Sequence, residues 1–293
     1  MQYRGFESHP LRTILKAVGN LPAAVLKGDM KMSNLLEEKV RLGKTELFAG
    51  RLGLGAAYGA PTAALEQAFE AGCNYFYWGA LRNSKMAAAI RNIAAKGKRD
   101  ELIVVIQDFR STSIGVEKSL MRGLKKLGLD YADILLLGWY NKPPKLKVLD
   151  IVEKLHKQGA FRYLGISGHN RAVFPEFAKD LHYHLFQIRY NAANRGAEKD
   201  LFPHLPKERP AIVAFQATRR MSLGKSRKIP AQEKRPKAGD CYRFVLANPF
   251  VDVVITAPSQ TAEMEENLAE VAKGSMTEEE MDWMRRIGDY VYK

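Results

Sequence analysis

The sequence predicts a (β/α)8 barrel with an N-terminal hairpin and a C-terminal helix. Three observations support this fold class. The chain has 293 residues, and single-domain barrels reach that size. Short apolar runs alternate eight times with helical patterns. Several runs, such as ILLL at residues 134–137, are apolar at every position, which is typical of strands buried on both faces.

The predicted strands and helices follow one another along the chain. The strands are expected at residues 52–57, 75–78, 102–106, 132–137, 163–166, 186–188, 212–215 and 251–255. The helices are expected at residues 63–71, 85–95, 116–127, 148–157, 172–179, 198–202, 239–247 and 262–269. Eight such units in about 250 residues are typical of this barrel.

Two further segments frame the barrel. Residues 39–49 alternate around Gly43 and predict a hairpin that closes the lower end, and residues 278–290 predict a last helix packed outside. We divide the chain into an N-terminal extension at residues 1–32 and the barrel at residues 33–293. Charged residues, a glycine and a proline interrupt the extension, so we expect a loosely attached arm, with peripheral contact to a membrane surface as the alternative.

Composition excludes several classes of protein. Hydrophobic residues make up 46% and charged residues 27%, which is typical of a globular protein rather than a disordered or fibrous one. No stretch of about 18 residues is both apolar and uncharged, so no membrane-spanning helix is expected. Cys73 and Cys241 lie far apart, which predicts no disulfide framework and favours a reduced, cytoplasmic setting. His182 and His184 have no third ligand nearby, so no metal site is expected.

The net charge of +14 is unevenly spread. Ten lysines and arginines lie between residues 205 and 240, against three acidic residues. Such a segment attracts anions, which leaves nucleic acid, anionic lipid and a phosphorylated cofactor as candidate ligands. Nucleic acid is the weakest of these, because the chain has no recognisable base-reading or stacking motif.

A doubly wound nucleotide-binding fold is the structural alternative. GLGAAYG at residues 53–59 follows an apolar run, as a dinucleotide loop does. Its glycine spacing differs by one residue from the dinucleotide fingerprint. The second strand also ends in Tyr77 and Trp78 rather than in the acid that would hold a ribose. The barrel is therefore the preferred fold.

The order of these segments resembles the aldo-keto reductase family over about residues 40–268. The matching sequence motifs are VRLGKTEL at 40–47, the glycine-rich first strand, LGLDYADILLL at 127–137, FRYLGISG at 161–168, FQIRYN at 186–191 and EENLA at 265–269. The resemblance implies a barrel that holds NADP(H) across its C-terminal face without a Rossmann domain. It also implies an oxidoreductase that acts on a small carbonyl or related substrate.

The four catalytic positions of that family are all substituted. Family members reduce carbonyls with a proton-donating tyrosine, a lysine that lowers its pKa, an aspartate paired with the lysine and a histidine that orients the carbonyl. Those positions carry, in the same order, Arg82, Gln107, Tyr77 and Gly138. A slip of one residue would exchange Gln107 for Asp108 and still restore no lysine. We therefore expect altered catalysis, or a catalytically inactive nucleotide-binding or interaction protein on the same barrel.

The cofactor positions of the family are better kept. Ser167 and Gln187 match the serine and glutamine that hold the nicotinamide amide, although the neighbouring asparagine is replaced by a glycine. Phe215 aligns with the aromatic residue that stacks on the nicotinamide. Glu266 and Asn267 match the adenine-facing pair. The resemblance thus implies NADP as the cofactor.

The start of the last barrel helix also fits an anion on physical grounds. Ser259 lies near the place of the 2′-phosphate, where free helix N–H groups attract negative charge. The alternative is that Ser259 or Thr261 only caps the helix. Five basic residues of the loop after the seventh barrel strand are expected to close over a pyrophosphate: Arg219, Arg220, Lys225, Arg227 and Lys228.

Tyr77 and Arg82 are the first candidates for a catalytic pair. A guanidinium near a phenol lowers the phenol pKa, so the two residues would replace the family's acid at the end of the second strand. The alternative is a hydrogen-bonded loop anchor. His169, at the rim of the fifth strand, is the second candidate for an acid or base, unless it only caps its loop. Three aromatic residues are expected to line the mouth of the barrel: Trp78, Trp139 and Tyr140.

Overall fold

Eight parallel strands close into a barrel, which confirms the predicted fold class. The computed structural model describes residues 34–79 and 83–292. The predicted arm at residues 1–32 and Arg82 therefore lie outside the described residues. A two-stranded antiparallel hairpin precedes the barrel, and helices follow the barrel strands, as a (β/α)8 fold requires.

The strands run in chain order around the barrel. The hairpin strands are β1 (Lys39–Arg41) and β2 (Phe48–Gly50). The barrel strands are β3 (Leu52–Gly55), β4 (Tyr75–Trp78), β5 (Ile103–Asp108), β6 (Ala132–Leu137), β7 (Phe161–Ser167), β8 (Tyr183–Arg189), β9 (Ala211–Phe215) and β10 (Val253–Thr256). Parallel pairing of β10 with β3 closes the sheet, and closure removes the free edges that an open sheet would carry.

The helices surround the barrel and pack on its outer face. They are α1 (Thr62–Glu70), α2 (Ser84–Ile93), α3 (Ser113–Leu127), α4 (Leu146–Lys157), α5 (Phe174–Lys179), α6 (Ala197–Asp200), α7 (Ser222–Lys225), α8 (Ala238–Leu246), α9 (Thr261–Ala272) and α10 (Glu278–Tyr292). In α3, the Thr112 side chain caps the first turn and Gly128 ends the helix in the left-handed conformation, with φ of 66°. Among the described residues, no helix combines the length and the apolar character needed to cross a membrane.

The barrel strands separate the core into two layers. On β4, Tyr75 and Tyr77 face the interior of the barrel, where inward side chains pack with the hairpin. Phe76 and Trp78 point the other way and pack under the helices. Successive side chains of a strand point to opposite faces, so each barrel strand contributes to both layers.

The hairpin closes the N-terminal end of the barrel. Leu42, Leu47 and Ala49 are buried against the inward side chains of the strands. Gly43 forms the turn with φ of 53°, and a Cβ atom there would lie 2.3 Å from the backbone nitrogen of Ala211. This close approach requires a glycine, which explains why the hairpin is centred on this residue.

The glycine-rich first barrel strand makes room for large neighbours. A Cβ atom on Gly53 would lie 2.9 Å from the Tyr75 ring and 3.0 Å from Val253. A Cβ atom on Gly55 would lie 3.0 Å from Ile255. The run GLGAAYG is therefore explained by packing inside a closed barrel, and the doubly wound alternative is excluded.

Both cysteines are buried as free thiols. Burial raises the pKa of the Cys73 thiol to about 12, and it raises the pKa of the Cys241 thiol as well. Thiols with raised pKa values stay protonated near neutral pH and react slowly. Both cysteines thus act as small apolar core residues.

Leu42→Ala is expected to lower the free energy of unfolding by about 2–5 kcal/mol, because it removes a fully buried side chain and leaves a cavity. Leu146→Ala is the matched control, since Leu146 is 77% exposed and surface substitutions usually change stability by less than about 0.5 kcal/mol. Urea unfolding followed by circular dichroism measures both. Equal free energies of unfolding for Leu42→Ala and Leu146→Ala would contradict the packing of the hairpin in the barrel core.

Candidate functional site

Strained backbone marks the C-terminal face of the barrel. Left-handed backbone is unfavourable for residues with a Cβ atom and is concentrated at functional sites. In the described ranges, the non-glycine residues with positive φ all lie in loops that follow β5, β6 and β9: Ser111, Trp139, Gln216, Arg219, Arg220 and Met221. Catalytic residues of (β/α)8 barrels lie at this same end. We therefore take the C-terminal face as the candidate site.

A hydrogen-bonded chain of three side chains links three strands below this face. Tyr77 on β4 donates its hydroxyl to Oε1 of Gln107 on β5. Nε2 of Gln107 donates to Oγ of Ser167 on β7 at 2.9 Å. Asp108 instead accepts a hydrogen bond from the backbone of Arg110 at 2.9 Å, so it anchors the following loop. Gln107, with 2% exposure, is thus the residue of β5 that points into the barrel, and the chain it joins is neutral.

Two glycines at the site leave no space for side chains. A Cβ atom on Gly138 would lie 2.5 Å from the carbonyl oxygen of Asp108 and 2.7 Å from Nε2 of Gln107. A Cβ atom on Gly168 would lie 2.2 Å from the carbonyl oxygen of Tyr140. The resemblance implies a histidine and an asparagine at these two positions. Neither side chain fits here unless the backbone moves.

Ser167 and Gln187 face each other on the neighbouring strands β7 and β8. Oε1 of Gln187 is buried and has no hydrogen-bond partner among the described residues. Oγ of Ser167 accepts the bond from Gln107, and its own proton meets no acceptor within those residues. A free acceptor beside a free donor complements a carboxamide, which offers N–H donors and a carbonyl acceptor. The two residues therefore fit the amide of nicotinamide.

Three rings form a row along the rim. The ring centroids of Trp139 and His169 are 6.4 Å apart, and those of His169 and Phe215 are 6.3 Å apart. Trp139 is 61% exposed. The prediction that Trp78 and Tyr140 line the mouth is wrong, because both are buried in the outer core. Strand alternation turns Trp78 away from the barrel interior.

His169 lies on the loop after β7 with an exposed side chain. The N–H groups of His169 and Asn170 both donate to Oδ1 of Asn141 at 2.8 Å, so Asn141 fixes this loop. Partial loss of water contact and the positive charge of Arg189 lower the pKa of His169 from its ordinary value of 6.5. The imidazole is therefore neutral at pH 7 and can accept a proton.

An acidic side chain covers the start of α9. Ser259 donates to Oε2 of Glu263 from its backbone N–H at 2.7 Å and from its hydroxyl at 2.8 Å. These bonds lower the pKa of Glu263, so its carboxylate is ionised near neutral pH. The N-cap residue of α9 is Gln260, with no side-chain capping bond, and neither Ser259 nor Thr261 caps the helix. A carboxylate thus lies where the resemblance implies the 2′-phosphate.

The two residues expected to face adenine have different surroundings. Glu266 is exposed and forms an ion pair with Lys237 at 2.9 Å. Asn267 is buried and donates to Oγ1 of Thr256 at 3.1 Å, and the Thr256 hydroxyl donates to Tyr242 at 2.9 Å. Asn267 therefore attaches α9 to β10, and Glu266 is the member that a ligand would reach.

The basic segment between residues 205 and 240 contains paired and unpaired cations. Arg209 forms an ion pair with Asp252 at 2.7 Å. Arg219 donates to the carbonyl oxygen of Val291 at 2.6 Å, so it is bound to α10 rather than free to close over a pyrophosphate. Four cations of the loop after β9 have no side-chain hydrogen bond or ion pair with any residue of the described ranges: Arg220, Lys225, Arg227 and Lys228.

The opposite end of the barrel carries a cavity of about 490 Å³ between the hairpin and the strand starts, lined by residues that include Lys39, Phe48, Asn74 and Arg162. In (β/α)8 barrels the N-terminal end serves stability and the C-terminal end serves chemistry. Within residues 34–79 and 83–292, no cluster of three or more His, Cys, Asp or Glu side chains is arranged to hold a metal ion. The C-terminal face stays the candidate site.

Arg189 and Glu263 belong to the site, although the sequence analysis did not single them out. Arg189 is the last residue of β8, two positions after Gln187, so strand alternation alone places it on the same inward face. Glu263 lies one helical turn after Ser259, within reach of the backbone at the helix start. In both cases, the spacing from a predicted site residue could have identified the second residue from the sequence.

Comparison with known proteins agrees with this fold. The sequence model of the Aldo/keto reductase family matches residues 57–240. The solved aldo-keto reductase AKR11C1 of Bacillus halodurans, in its holo form, is similar to this chain with a TM-score of 0.71 at 22% sequence identity, covering 85% of this chain and 96% of that chain. Its apo form gives a TM-score of 0.69 at 21% identity, covering 85% of this chain and 95% of that chain.

Two curated relatives show how far the similarity extends. YqkF of Bacillus subtilis, named an uncharacterized oxidoreductase, is 21% identical over 277 residues, or 81% of this chain and 90% of that protein. AAD14 of Saccharomyces cerevisiae, named "Putative aryl-alcohol dehydrogenase", is 24% identical over 181 residues, or 54% of this chain and 47% of that protein. The chain spans about half the length of this yeast relative.

Proposed function

We propose, because the chain belongs to the aldo/keto reductase family, that it is an NADP(H)-linked oxidoreductase acting on a small carbonyl compound or the related alcohol. The observation that carries this proposal is the free donor and acceptor of Ser167 and Gln187 at the barrel mouth. The bound cofactor would supply or take up a hydride. The catalytic residues would differ from the usual four of the family.

The residues around the carboxamide site have complementary tasks. Nε2 of Gln107 occupies one side of the Ser167 oxygen, which leaves the Ser167 proton for the amide carbonyl of a nicotinamide. Oε1 of Gln187 would accept the amide N–H. Phe215, on the strand beside Gln187, would offer its ring for stacking. Together they would fix the orientation of the nicotinamide ring before any chemistry occurs.

NADP rather than NAD is proposed on the balance of charge. Four unpaired cations in the loop after β9 favour an additional phosphate. Glu263 opposes them, because its ionised carboxylate holds both donors of Ser259. The charge of Lys225 acts on Glu263, so this lysine offsets part of the repulsion. The preference for the 2′-phosphate therefore depends on the balance between the charge of Glu263 and the charges of these unpaired cations.

Proton transfer has two candidate groups. Tyr77, tuned by Arg82, is the proposed acid, and its hydroxyl lies at the end of β4 where it donates to Gln107. His169 is the second candidate, because its neutral imidazole lies at the rim beside Phe215. A positioned acid or base raises the rate of such a step by about 10²- to 10⁴-fold. The same group would serve both directions of the reaction, so only one of the two carries this step.

A catalytically inactive NADP-binding protein on the same barrel is the alternative. It is supported by the neutral chain below the mouth, because the Tyr77 proton is already donated to Gln107. It is also supported by Gly138, where no side chain could orient a carbonyl without a clash. This alternative keeps nucleotide binding and lacks turnover.

NADPH is expected to bind, and Gln187→Leu to weaken its binding about 2- to 10-fold, because one hydrogen bond to the carboxamide is lost. Isothermal titration calorimetry with NADPH and NADH measures this. Gln158→Leu is the matched control, since Gln158 is exposed between α4 and the start of β7, at the end of the barrel opposite the site. No binding of either nucleotide to the unmodified protein would overturn the oxidoreductase proposal and its inactive alternative together.

Glu263→Gln is expected to tighten NADPH binding about 3- to 10-fold and to change NADH binding by less than about twofold, because it removes a negative charge facing the 2′-phosphate. Glu265→Gln, a neutral exchange at an exposed residue of the same helix, is the control. Tighter binding of NADH than of NADPH in the unmodified protein would refute the NADP preference and leave the nicotinamide site in place.

Tyr77→Phe is expected to lower kcat/KM by about 10²- to 10⁴-fold on a carbonyl substrate that is turned over, because the proton donor is lost. Tyr75→Phe is the matched control, since the Tyr75 hydroxyl is buried without a partner in the described residues. Arg82→Gln should move the pH optimum upward by removing the charge that favours phenolate. An unchanged kcat/KM in Tyr77→Phe, with a loss in His169→Gln, would assign the step to His169.

A further inference from the structure

Arg189 places a cation at the mouth of the barrel. It is the last residue of β8, on the same face as the buried Leu185 and Gln187, so its side chain starts inside the barrel wall. Its register partner on β9 is Phe215. The guanidinium therefore lies at the end of the site where Ser167 and Gln187 would hold the nicotinamide, rather than at the α9 end.

The Arg189 side chain has no partner within the described residues. No hydrogen bond or ion pair joins its guanidinium to residues 34–79 or 83–292, and its Nε atom is buried and unsatisfied. Other half-buried arginines of the barrel are paired, as Arg209 is with Asp252 at 2.7 Å. A buried charged donor without a partner is unfavourable, so an anionic ligand would supply what the protein lacks.

Aromatic surface surrounds this cation. Arg189 is the register partner of Phe215, whose ring centroid lies 6.3 Å from that of His169. The rings of Trp139, His169 and Phe215 follow each other along the rim, and Trp139 presents 61% of its surface to solvent. A strained φ of 61° holds Trp139 in this exposed position. A planar apolar group would be covered by these rings while its charged end reaches the guanidinium.

We propose that Arg189 binds the carboxylate of the substrate, and that the substrate is a small aromatic or apolar carbonyl compound, or its alcohol, carrying a carboxylate group. This inference rests on the proposed oxidoreductase function and specifies its substrate class. Arginine presents donors in a planar fork that matches the two oxygens of a carboxylate. The row of rings selects the apolar body of the same molecule.

The pyrophosphate of the cofactor is the other anion that this guanidinium would recognise. The position of Arg189 favours the substrate, because it lies two residues from Gln187 on one strand, whereas the unpaired cations of the loop after β9 are the ones proposed to meet the phosphates. Separate titrations with a small carboxylate and with the nucleotide distinguish the two sources.

The experiment titrates the protein, without nucleotide, with benzoate and with its neutral isostere benzamide, and follows binding by NMR of the histidine rings. Benzoate should bind and benzamide should not. Arg189→Gln should weaken benzoate binding by about 10- to 100-fold, because a charge-assisted pair is lost, and Arg189→Lys should weaken it less. Lys207→Gln removes one positive charge from an exposed position before β9 and should leave benzoate binding unchanged.

The NMR signal of His169 distinguishes a local loss of the Arg189 charge from a general disturbance of the fold. Arg189→Gln removes a positive charge that disfavours imidazolium, so the pKa of His169 should rise in a folded variant. Unchanged benzoate binding in Arg189→Gln would overturn the proposal. A second result would also overturn the proposal: benzoate does not bind the unmodified protein, and Arg189→Gln weakens NADPH binding. Arg189 would then bind the cofactor rather than the substrate. Absence of NADPH binding with intact benzoate binding would overturn the proposed function alone.

Discussion

Closure of the sheet is the constraint on which the rest of the structure depends. Because β10 pairs with β3, every strand has one face inside the barrel, and the inward residues at the carboxyl ends must meet in one small space. Tyr77, Gln107 and Ser167 come from three separate strands and form one hydrogen-bonded chain for this reason. The loops that follow these strand ends form only the rim of the site, since the strands themselves position the hydrogen-bonded side chains.

On the alignment that the resemblance implies, the neutral chain would explain why several catalytic positions differ from the family together. Removing one member of a buried ion pair leaves an uncompensated charge in a medium of low polarity, which is strongly destabilising, whereas replacing both members by neutral groups is tolerated. Tyr77 and Gln107 stand where the resemblance implies an aspartate and a lysine, and they keep the contact as a neutral hydrogen bond. Gly138 completes the exchange, since the Gln107 amide occupies space that a side chain there would need.

The sequence predicted the fold closely where apolar character is continuous. The strands at residues 75–78 and 132–137 have the bounds that were expected, because aromatic residues fill the first and four apolar residues in a row, at 134–137, end the second. The strand expected at 186–188 is longer, Tyr183–Arg189, because its polar ends extend the ladder without an apolar signal. Strand alternation from Tyr77 would have predicted that Trp78 lies in the outer core, and the prediction that Trp78 lines the mouth neglected this alternation.

The site was harder to predict than the fold because its properties depend on partners. Ser167 and Gln187 were expected from the resemblance, but the unsatisfied oxygen of Gln187 is visible only when its neighbours are known. Ser259 was expected to meet a phosphate, and the carboxylate of Glu263 instead holds both its donors. A local sequence pattern identifies which groups exist, whereas the charge that a ligand meets is the sum over elements far apart in the chain.

The charges that remain unpaired on the C-terminal face are mainly positive. Several cations of the long basic segment are used internally, as the Arg209 pair with Asp252 shows, so the segment is not a continuous strip that would follow a nucleic-acid backbone. Among the described residues, the unpaired cations of this face include a group in the loop after β9 and the guanidinium of Arg189 at the mouth. A dinucleotide laid across this face would meet the first group with its phosphates, and Arg189 would remain for a second anion. Two separate cationic positions joined by an aromatic rim fit a cofactor and an acidic substrate bound side by side better than they fit one extended polyanion.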